Sequence, residues 1–458
     1  MNYSEFVTAK LGVVRSQGID VRSLDYPLFP HQRDLTMWAL RRGRAAIFAD
    51  TGLGKSRMQL AWADTVRRTT GNDVLILAPL AVAEQTAEEG RAIGVDVNHA
   101  RDGAEVRKGI TITNYDRLHR FDVLRFGGIV LDESSIIKHH AAKTLQTLLD
   151  AFRNTPYKLA CTATPAPNDW TELGNHAQFL GVRSRAEMLA EFFVHDGGDT
   201  QTWRLKGHAR QAFWRWVATW GAMVRSPSDL GHDASAYELP PLRVHQHTVE
   251  SQHNPEHGLF VLEAQTLMER RNARRDSLID RVRACAAMVN SDRQPWVVWC
   301  DLNDEGNALT AAIDGAVQIA GADDSDVKEQ RLQDFAHGKV RVLVSKPSIC
   351  GFGLNWQHCA RMAFVGVTDS FESYYQAVRR CWRFGQRRPV EVHVFASSAE
   401  GAVVANLRRK EADAKAMAEA MAAETLESIR ESVLGSSRET NHYNGTQKMQ
   451  LPSFLGAA

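Results

Sequence analysis

A glycine-rich segment, residues 49–56, has the residue types of a loop that binds phosphate. It reads ADTGLGKS and lies between the apolar run 45–48 and a helix-like segment. Glycines let backbone N–H groups approach phosphate oxygens, and the N-terminus of the following helix adds partial positive charge. In such loops the lysine reaches the β- and γ-phosphates and the hydroxyl residue ligates Mg²⁺, so we expect these roles for Lys55 and Ser56. The general pattern begins with glycine, where this chain has Ala49, so other motifs must decide the function.

Two adjacent acids follow another apolar run. Residues 128–133 read GIVLDE, which is the form of a buried strand that ends in Asp132 and Glu133. In a parallel sheet this strand end lies beside the phosphate loop, so we expect Asp132 to hold Mg²⁺ and Glu133 to deprotonate the attacking water. Adjacent acids alone are common, but their place at the end of an apolar strand beyond a phosphate loop makes the pair more specific.

Arginines cluster in the segment 376–386, which reads QAVRRCWRFGQ. On a helix, Arg379 and Arg383 are four positions apart and Arg380 and Arg383 are three apart, so these side chains share one face. Trp382 interrupts the pattern of a solvated charged surface. Because arginines at a phosphoryl group contribute about 10³ to 10⁵ in rate, we expect this second part of the chain to complete the site of the first.

Alternating strands and helices position these residues. Two sets of apolar runs, each followed by a helix-length segment, indicate an α/β fold with two parallel sheets that are covered on both faces. Functional residues of such sheets collect at the carboxyl ends of the strands. The predicted strands are 45–48, 74–78, 110–113, 128–131 and 158–161 in the first set, and 296–300, 317–320, 340–344, 362–365 and 390–395 in the second.

The sequence divides into six segments. We predict an N-terminal extension (1–26), a first domain (27–184), a tryptophan-rich helical insertion and linker (185–250), a second domain (251–399), a helix (400–434) and a disordered tail (435–458). In the insertion, Phe213, Val217 and Trp220 align on one helical face. We interpret these rings as buried against a neighbouring domain, with base stacking as the alternative.

Composition restricts the class of protein. The 458 residues are 44% apolar and 24% charged with a net charge of +1, so any nucleic-acid binding must come from local patches. No run approaches the ~20 apolar residues of a membrane span, and we expect a cytoplasmic protein, in the host cytoplasm if the source is viral. The six cysteines form no CxxC pair and are interpreted as reduced. Histidines 245, 247, 253 and 257 lack the framework of a metal site.

Seven motifs, in this order, resemble those of superfamily two helicases and are closest to the Swi/Snf-like translocase branch. They read ADTGLGKS, LILAPLAV, ITNYD, LDESSIIKH, CTATPAPNDWTELG, CGFGLNW and QAVRRCWRFGQ, and the resemblance extends over residues 28–396. The GLGK form of the loop, the ELG after TATP, GxGLN and the final RxGQ favour this branch over DEAD-box RNA helicases. The resemblance implies two tandem RecA-like domains that bind ATP and Mg²⁺ between them.

The resemblance also implies roles for individual residues. It places Gln32 near adenine, although from this residue alone an exposed helix cap explains the sequence equally well. The implied ATP-binding set is Gln32, Thr51, Gly52, Leu53, Gly54, Lys55 and Ser56, with Ser56 and Asp132 at the metal. The implied catalytic set is Lys55, Glu133, Arg380 and Arg383; the coupling set is Thr162, Thr164, Gln376 and Gly353; and the nucleic-acid set is Pro79, Thr113, Asn114 and Asn355.

The chain departs from the family pattern in two ways. Ser135 replaces the usual histidine after the acid pair, so coupling between that loop and the threonine segment is expected to pass through a hydroxyl. The accessory regions by which large relatives bind nucleosomes have no counterpart, so chromatin remodelling is not supported.

These observations predict a monomeric, ATP-dependent translocase that moves along double-stranded DNA by contacts to the phosphate backbone. Two alternatives remain: a strand-separating repair or recombination helicase, and a clamp that binds nucleic acid and uses ATP as a switch without productive hydrolysis. In the tail, residues 450–455 read QLPSFL and resemble peptides that dock on a bacterial sliding clamp, while random composition explains them equally well.

Overall fold

The computed structural model contains two α/β units, each built on a parallel sheet. It describes residues 18–79, 82–138, 143–166, 169–196, 199–249, 275–350, 355–366 and 371–397, together with 409, 419, 422–423, 425–427 and 429–434. Gly353, most of the helix predicted at 400–434 and the whole tail, including the sliding-clamp segment 450–455, lie outside these ranges. No helix in the described ranges is both long enough and apolar enough to cross a membrane.

The first unit is organised around a seven-stranded sheet in the order β3-β4-β2-β5-β6-β1-β9, and all its strand pairs are parallel. Strands β7 and β8 form a separate antiparallel hairpin. The elements are α1 (Pro30–Arg42), β1 (Arg44–Ala49), α2 (Lys55–Thr70), β2 (Asp73–Ala78), α3 (Ala83–Ala92), β3 (Val97–His99), β4 (Ile110–Asn114), β5 (Phe126–Asp132), α4 (Lys143–Ala151), β6 (Tyr157–Cys161), α5 (Leu173–Leu180), α6 (Arg185–Phe192), β7 (Phe193–Asp196), β8 (Asp199–Leu205), α7 (Arg210–Ala218) and β9 (Gly221–Val224).

The second unit contains a six-stranded parallel sheet in the order β10-β15-β14-β11-β13-β12. Its elements are β10 (Leu242–Val249), α8 (Leu278–Ser291), β11 (Trp296–Trp299), α9 (Asn303–Ala312), β12 (Ala316–Ile319), α10 (Ser325–Ala336), β13 (Val342–Ser345), α11 (Pro347–Cys350), β14 (Arg361–Phe364), α12 (Phe371–Val378) and β15 (Val390–Ser397). The predicted fold class, two tandem RecA-like domains with parallel sheets, is confirmed.

The central strands are buried on both faces, which is why they appear in the sequence as continuous apolar runs. In β2, every residue from Val74 to Ala78 has no exposed surface, and β11 shows the same pattern. Helices such as α2 cover the faces, so the carboxyl end of each strand is the position where polar side chains can meet.

The segment 185–250 differs from the helical insertion that the sequence predicted. It contains the β7–β8 hairpin, and its last two strands join the main sheets: β9 pairs with β1, and β10 pairs with β15. A four-residue apolar strand directly after a helix cannot be told from the helix end by periodicity. Strand β10 is largely exposed and rich in polar residues because it lies at the sheet edge.

The tryptophan-rich helix α7 belongs to the core of the first unit. Phe213, Val217 and Trp220 have no exposed surface and pack within that core. The expected burial is therefore correct, but the rings pack inside the first unit and not against a neighbouring domain. Base stacking on the rings of Phe213 and Trp220 is excluded by their burial.

The chain returns to the first unit near its C-terminus. Residues 429–434 are helical, and Ile429 and Val433 are buried in the first unit's core. The Ser432 hydroxyl accepts hydrogen bonds from Trp38 Nε1 and Arg42 Nη2, each at 2.8 Å. These contacts attach the helix to α1.

A fully buried ion pair lies in the second unit. Arg281 Nη2 on α8 is 2.9 Å from Glu305 Oε1 on α9, and neither side chain is exposed. Arg281 also donates to the Val365 carbonyl, while Glu305 Oε2 accepts the backbone N–H groups of residues 301 and 302. The pair therefore connects two helices to the carboxyl end of β14.

We predict that Glu305→Gln or Arg281→Met destabilises the second unit by about 3 to 5 kcal/mol, because each leaves an uncompensated buried charge. Hydrogen–deuterium exchange of β11, β13 and β14 measures this as faster exchange. Arg283→Met, which breaks the exposed pair with Asp280 on the same helix, is the control and should change stability by less than about 1 kcal/mol. The double variant Arg281→Met/Glu305→Leu should recover much of the loss. Unchanged protection in both single variants would contradict the prediction.

Candidate functional site

The glycine-rich loop connects β1 to α2 and contacts the second unit through Phe384. Gly52 and Gly54 have φ angles of +91° and +81°, a region that other residues rarely adopt. A Cβ at Gly54 would lie 2.2 Å from Gln32 Nε2, and one at Gly52 would lie 2.9 Å from Phe384 Cβ of the second unit. The loop thus needs glycine for both its conformation and its close packing, and its binding of phosphate stays a prediction.

Lys55 opens helix α2, and its ammonium group folds back on the loop. Lys55 Nζ donates to the backbone carbonyls of Ala49, at 2.8 Å, and Asp50, at 3.2 Å. Desolvation lowers the pKa of Lys55, and the neighbouring carboxylates, Glu133 foremost, oppose that shift. The ammonium therefore lies within the electrostatic field of the acid pair.

Gln32 joins helix α1 to the glycine-rich loop. Its side chain is 2% exposed; Nε2 donates to the Leu53 carbonyl at 3.0 Å, and Oε1 accepts the Phe29 N–H at 3.1 Å. The alternative that Gln32 is a solvent-exposed helix cap is thus wrong, because Gln32 caps the helix but is buried. The amide retains one further N–H and one further lone pair, which match the donor and acceptor of an adenine edge. Rings of Phe29, Tyr237 and Phe384 cluster beside it.

Glu133 is held by hydroxyl groups from two segments. Its Oε1 accepts from Thr162 Oγ1 at 2.7 Å and from Ser135 Oγ at 3.0 Å. Cys161 pairs with Asp132 in the sheet register, which brings Thr162 beside the acids. Among the described residues, Glu133 is the one non-glycine with positive φ, at +50°. Such strain is typical of functional sites, and here it turns the carboxylate toward the hydroxyl groups.

Asp132 is anchored by a residue that the sequence reasoning missed. Gln59 on α2 is fully buried, and its Nε2 donates to Asp132 Oδ1 at 2.7 Å. Burial raises the pKa of Asp132 to about 6, with Glu133 adding to the shift and the Gln59 hydrogen bond opposing it. The sequence does contain one sign of this role, because Gln59 lies one helical turn after Lys55 on an otherwise apolar helix face.

The residues around Asp132 fit a hydrated Mg²⁺. A carboxylate is an oxygen donor of the kind that Mg²⁺ prefers, and Mg²⁺ is usually bound by one or two protein ligands with waters and phosphates. Within the described ranges no three acid, histidine or cysteine side chains form a metal cluster. Buried polar atoms with no protein partner lie in the same network, and waters or phosphates would satisfy them: Gln59 Oε1, Thr164 Oγ1 and Gln376 Nε2.

The second unit brings arginines to the acids. Arg380 donates from Nε to the Gln376 carbonyl and from Nη2 to Gln376 Oε1, at 3.0 and 3.1 Å. Burial lowers the pKa of Arg380 to about 10, opposed first by the charge of Glu133. Burial also lowers the pKa of Arg383, to about 9, and the charge of Arg380 adds to that shift. Both arginines are thus desolvated, and the leading carboxylate is Glu133 for Arg380 and Glu89 for Arg383.

The predicted nucleic-acid residues occupy different environments. Thr113 and Asn114, at the carboxyl end of β4, are 0% and 4% exposed. Asn114 Oδ1 accepts the N–H of Arg117 and caps the 3₁₀ helix Tyr115–Arg120. Pro79 and Asn355 are half-buried. The structure therefore does not expose the four side chains on one continuous surface, and their contact with nucleic acid stays a prediction.

Comparison with known proteins identifies one part of the chain. Residues 299–385 match the family model described as helicase conserved C-terminal domain, which indicates the helicase superfamily. The chain is also similar to putative protein p41 of Acyrthosiphon pisum secondary endosymbiont phage 1, with 22% identity over 439 residues that cover 80% of this chain and 91% of that protein. The matched domain contains α12 and the arginine cluster.

We predict that metal binding at Asp132 weakens as the pH falls through about 6, because a proton and the metal compete for the carboxylate. Calorimetric titration of Mg²⁺ into the protein with a non-hydrolysable ATP analogue, from pH 5 to 8, measures the midpoint. Gln59→Leu removes a hydrogen bond that lowers this pKa, so its midpoint should be higher than that of the wild type. Identical midpoints in the two proteins, or a wild-type midpoint below 5, would contradict the assignment.

Proposed function

We propose that this protein is an ATP-dependent nucleic-acid translocase of the Swi/Snf-like type that hydrolyses ATP between its two units and moves along duplex DNA. One observation carries the proposal. The arginine segment of the second unit lies directly against the glycine-rich loop of the first, because Arg379 Nη2 is 3.0 Å from Asp50 Oδ2 and Phe384 packs against Gly52. The two units would thus each supply part of the site, the base from the first and arginines from the second, as phosphoryl transfer requires.

We assign a chemical task to each group in the cleft. The backbone of residues 52–56 and the Lys55 ammonium bind phosphate oxygens, and Gln32 contacts the adenine edge. Ser56 and Asp132 would hold Mg²⁺, which supplies neutralisation of phosphate charge when bound. The hydroxyl groups of Thr162 and Ser135 occupy Glu133 Oε1, so we assign Oε2 to the proton of the attacking water. Arg380 and Arg383 stabilise the charge that develops on the phosphoryl group.

The same contacts support coupling of hydrolysis to movement. Thr162 directly follows β6 and contacts the proposed base, while the backbone N–H of Thr164 donates to Thr162 Oγ1 at 3.1 Å. Any displacement of the threonine segment therefore changes the environment of Glu133. Gln376, one turn before Arg380, provides the corresponding element on the second unit. In this role, Ser135 provides the hydroxyl expected in place of the family's histidine.

We propose that nucleic acid is bound through its phosphates. Because Thr113 and Asn114 are buried, we assign them to positioning the 3₁₀ helix Tyr115–Arg120, whose last turn is basic. Phosphate contacts carry no direct sequence information, so binding should be nearly sequence-independent and should weaken steeply with salt. The motif forms GLGK, GxGLN and RxGQ support duplex DNA as the substrate over RNA.

The test is ATPase activity measured with single-stranded DNA, duplex DNA, forked DNA and RNA. We expect duplex DNA to stimulate hydrolysis many-fold, and Lys55→Ala or Glu133→Gln to reduce the stimulated rate by at least about 100-fold, as expected for loss of a catalytic group. The exposed residues Lys108 and Glu88 provide the matched controls Lys108→Ala and Glu88→Gln, which should retain activity.

The outcomes separate the competing functions. Displacement of a triplex strand without unwinding of a forked duplex supports translocation, whereas unwinding of the fork identifies a strand-separating helicase. Nucleotide-dependent DNA binding without turnover would identify a clamp. An ATPase rate that is indifferent to every nucleic acid would overturn the proposal.

A further inference from the structure

An ion pair connects the glycine-rich loop to the arginine segment across the cleft. Arg379 Nη2 of the second unit lies 3.0 Å from Asp50 Oδ2. Asp50 is the second residue of the glycine-rich loop. The Tyr375 hydroxyl donates to Asp50 Oδ1 at 3.1 Å and accepts from Arg379 Nε at 3.1 Å. Asp50 Oδ1 also accepts the backbone N–H of Thr51 at 2.6 Å. Both carboxylate oxygens are therefore used, and two of the donors come from the other unit.

The arginine is held in a fixed position by its own unit. Its guanidinium carbon lies 5.1 Å from the Tyr375 ring centroid and 4.7 Å from that of Trp382. Trp382 is fixed in turn because its Nε1 donates to the Pro240 carbonyl at 2.7 Å. Arg379 is 8% exposed. An arginine so placed loses little further side-chain freedom when it pairs with Asp50, which strengthens the pair relative to a mobile surface contact.

The protonation states support the same geometry. Burial raises the pKa of Tyr375 to about 12, with the Asp50 charge adding to the shift, so the phenol keeps its proton and remains a donor. Burial acts to lower the pKa of Arg379, but Asp50 and Tyr375 outweigh it and the pKa is raised. Arg379 therefore keeps its positive charge across the whole physiological range.

A second cross-cleft contact is available for comparison. Arg101 Nη1 and Arg117 Nη2 of the first unit lie 3.3 and 3.7 Å from the carboxylate of Asp326 on α10. Asp326 is 53% exposed, as is Arg101. The pair with Arg101 is exposed on both sides, and such pairs contribute little; Arg117 is 11% exposed but lies farther away, at 3.7 Å. The ion pair between Asp50 and Arg379 is shorter and more buried, and additional hydrogen bonds support it. Of the two contacts, it is therefore the one expected to hold the units together.

We propose that Asp50 and Arg379 are positioning residues whose ion pair closes the cleft before nucleotide binds. Arg379 directly precedes Arg380 and lies four positions before Arg383. Its attachment to the loop therefore brings both arginines toward the acids of the first unit. Phe384 of the same segment packs against Gly52, so the arginine segment contacts the loop at two points. The kinetic consequence rests on the proposed ATPase function, but the closure itself does not.

The physical consequence is a change in apparent affinity. If only the closed form binds ATP productively, the apparent dissociation constant equals the intrinsic constant divided by the closed fraction. Loss of the ion pair lowers that fraction, so the KM for ATP should rise about tenfold if the closed fraction falls tenfold. Saturating ATP closes the cleft again, so kcat should change by less than about threefold.

Distance measurements test the closure without any nucleotide. The six native cysteines are buried, so spin labels on Leu124→Cys and Arg283→Cys, whose side chains are largely exposed, report the separation of the units by double electron–electron resonance. We expect Arg379→Gln and Asp50→Asn to shift the distribution to longer distances, and Asp326→Asn, which removes the same charge from the exposed contact, to leave it unchanged. The charge exchange Asp50→Arg/Arg379→Asp should restore closure at least in part, and Arg379→Lys should be intermediate.

The proposal is overturned if Arg379→Gln and Asp50→Asn both retain the wild-type distribution, or if Asp326→Asn opens the cleft equally. It is also overturned if the two substitutions lower kcat at saturating ATP and leave KM unchanged, since that pattern assigns Arg379 to the transition state. If the protein hydrolyses no ATP at all, the proposed function fails, and the distance distributions still decide whether the ion pair closes the cleft.

Discussion

Mutual compensation of buried charge is the constraint on which the site depends. Lys55, Asp132 and Glu133 are placed by the first unit, and Arg379, Arg380 and Arg383 by the second. Each of these charges would be costly to desolvate alone, and together they offset one another. The balance is incomplete: burial still lowers the pKa values of Arg380 and Arg383 and raises that of Asp132. A bound polyanion would raise the pKa values of the arginines, and a divalent cation would lower that of Asp132. Both changes are consistent with the chemistry proposed for the cleft.

The parallel sheets were predictable because their strands are buried on both faces. Each of the five apolar runs in the first half and the five in the second corresponds to an observed strand, with ends that differ by a few residues. Edge strands were not predictable in the same way. Strand β10 is mostly exposed and polar, and β9 has only four residues directly after a helix, so neither shows the periodicity on which sequence reasoning depends.

The candidate site shows the same limit at the level of side chains. Spacing alone placed Asp132 and Glu133 at the end of one strand and Lys55 in the loop after another, because the carboxyl edge of a parallel sheet is fixed by topology. The partners of these residues were not predictable. Gln59 contacts Asp132 from a helix face, and Asp50 meets Arg379 from a distant part of the chain. Such pairs depend on how helices rotate and how two sheets face each other, and no local pattern encodes either. Gln32 is an intermediate case, since its capping role was considered but its burial was not.

The helix at residues 429–434 docks non-covalently on the first unit and so gives the molecule a second tether between its units. The chain passes from β9 to β10 once, and after β15 it returns to dock on α1 through Ile429, Val433 and Ser432. Two bodies joined by one connector can separate as far as that connector allows, whereas a second tether sets a further upper limit on their separation. The effective concentration of one face of the cleft for the other also stays high when the cleft opens, so reclosure is an intramolecular event with a small entropic cost.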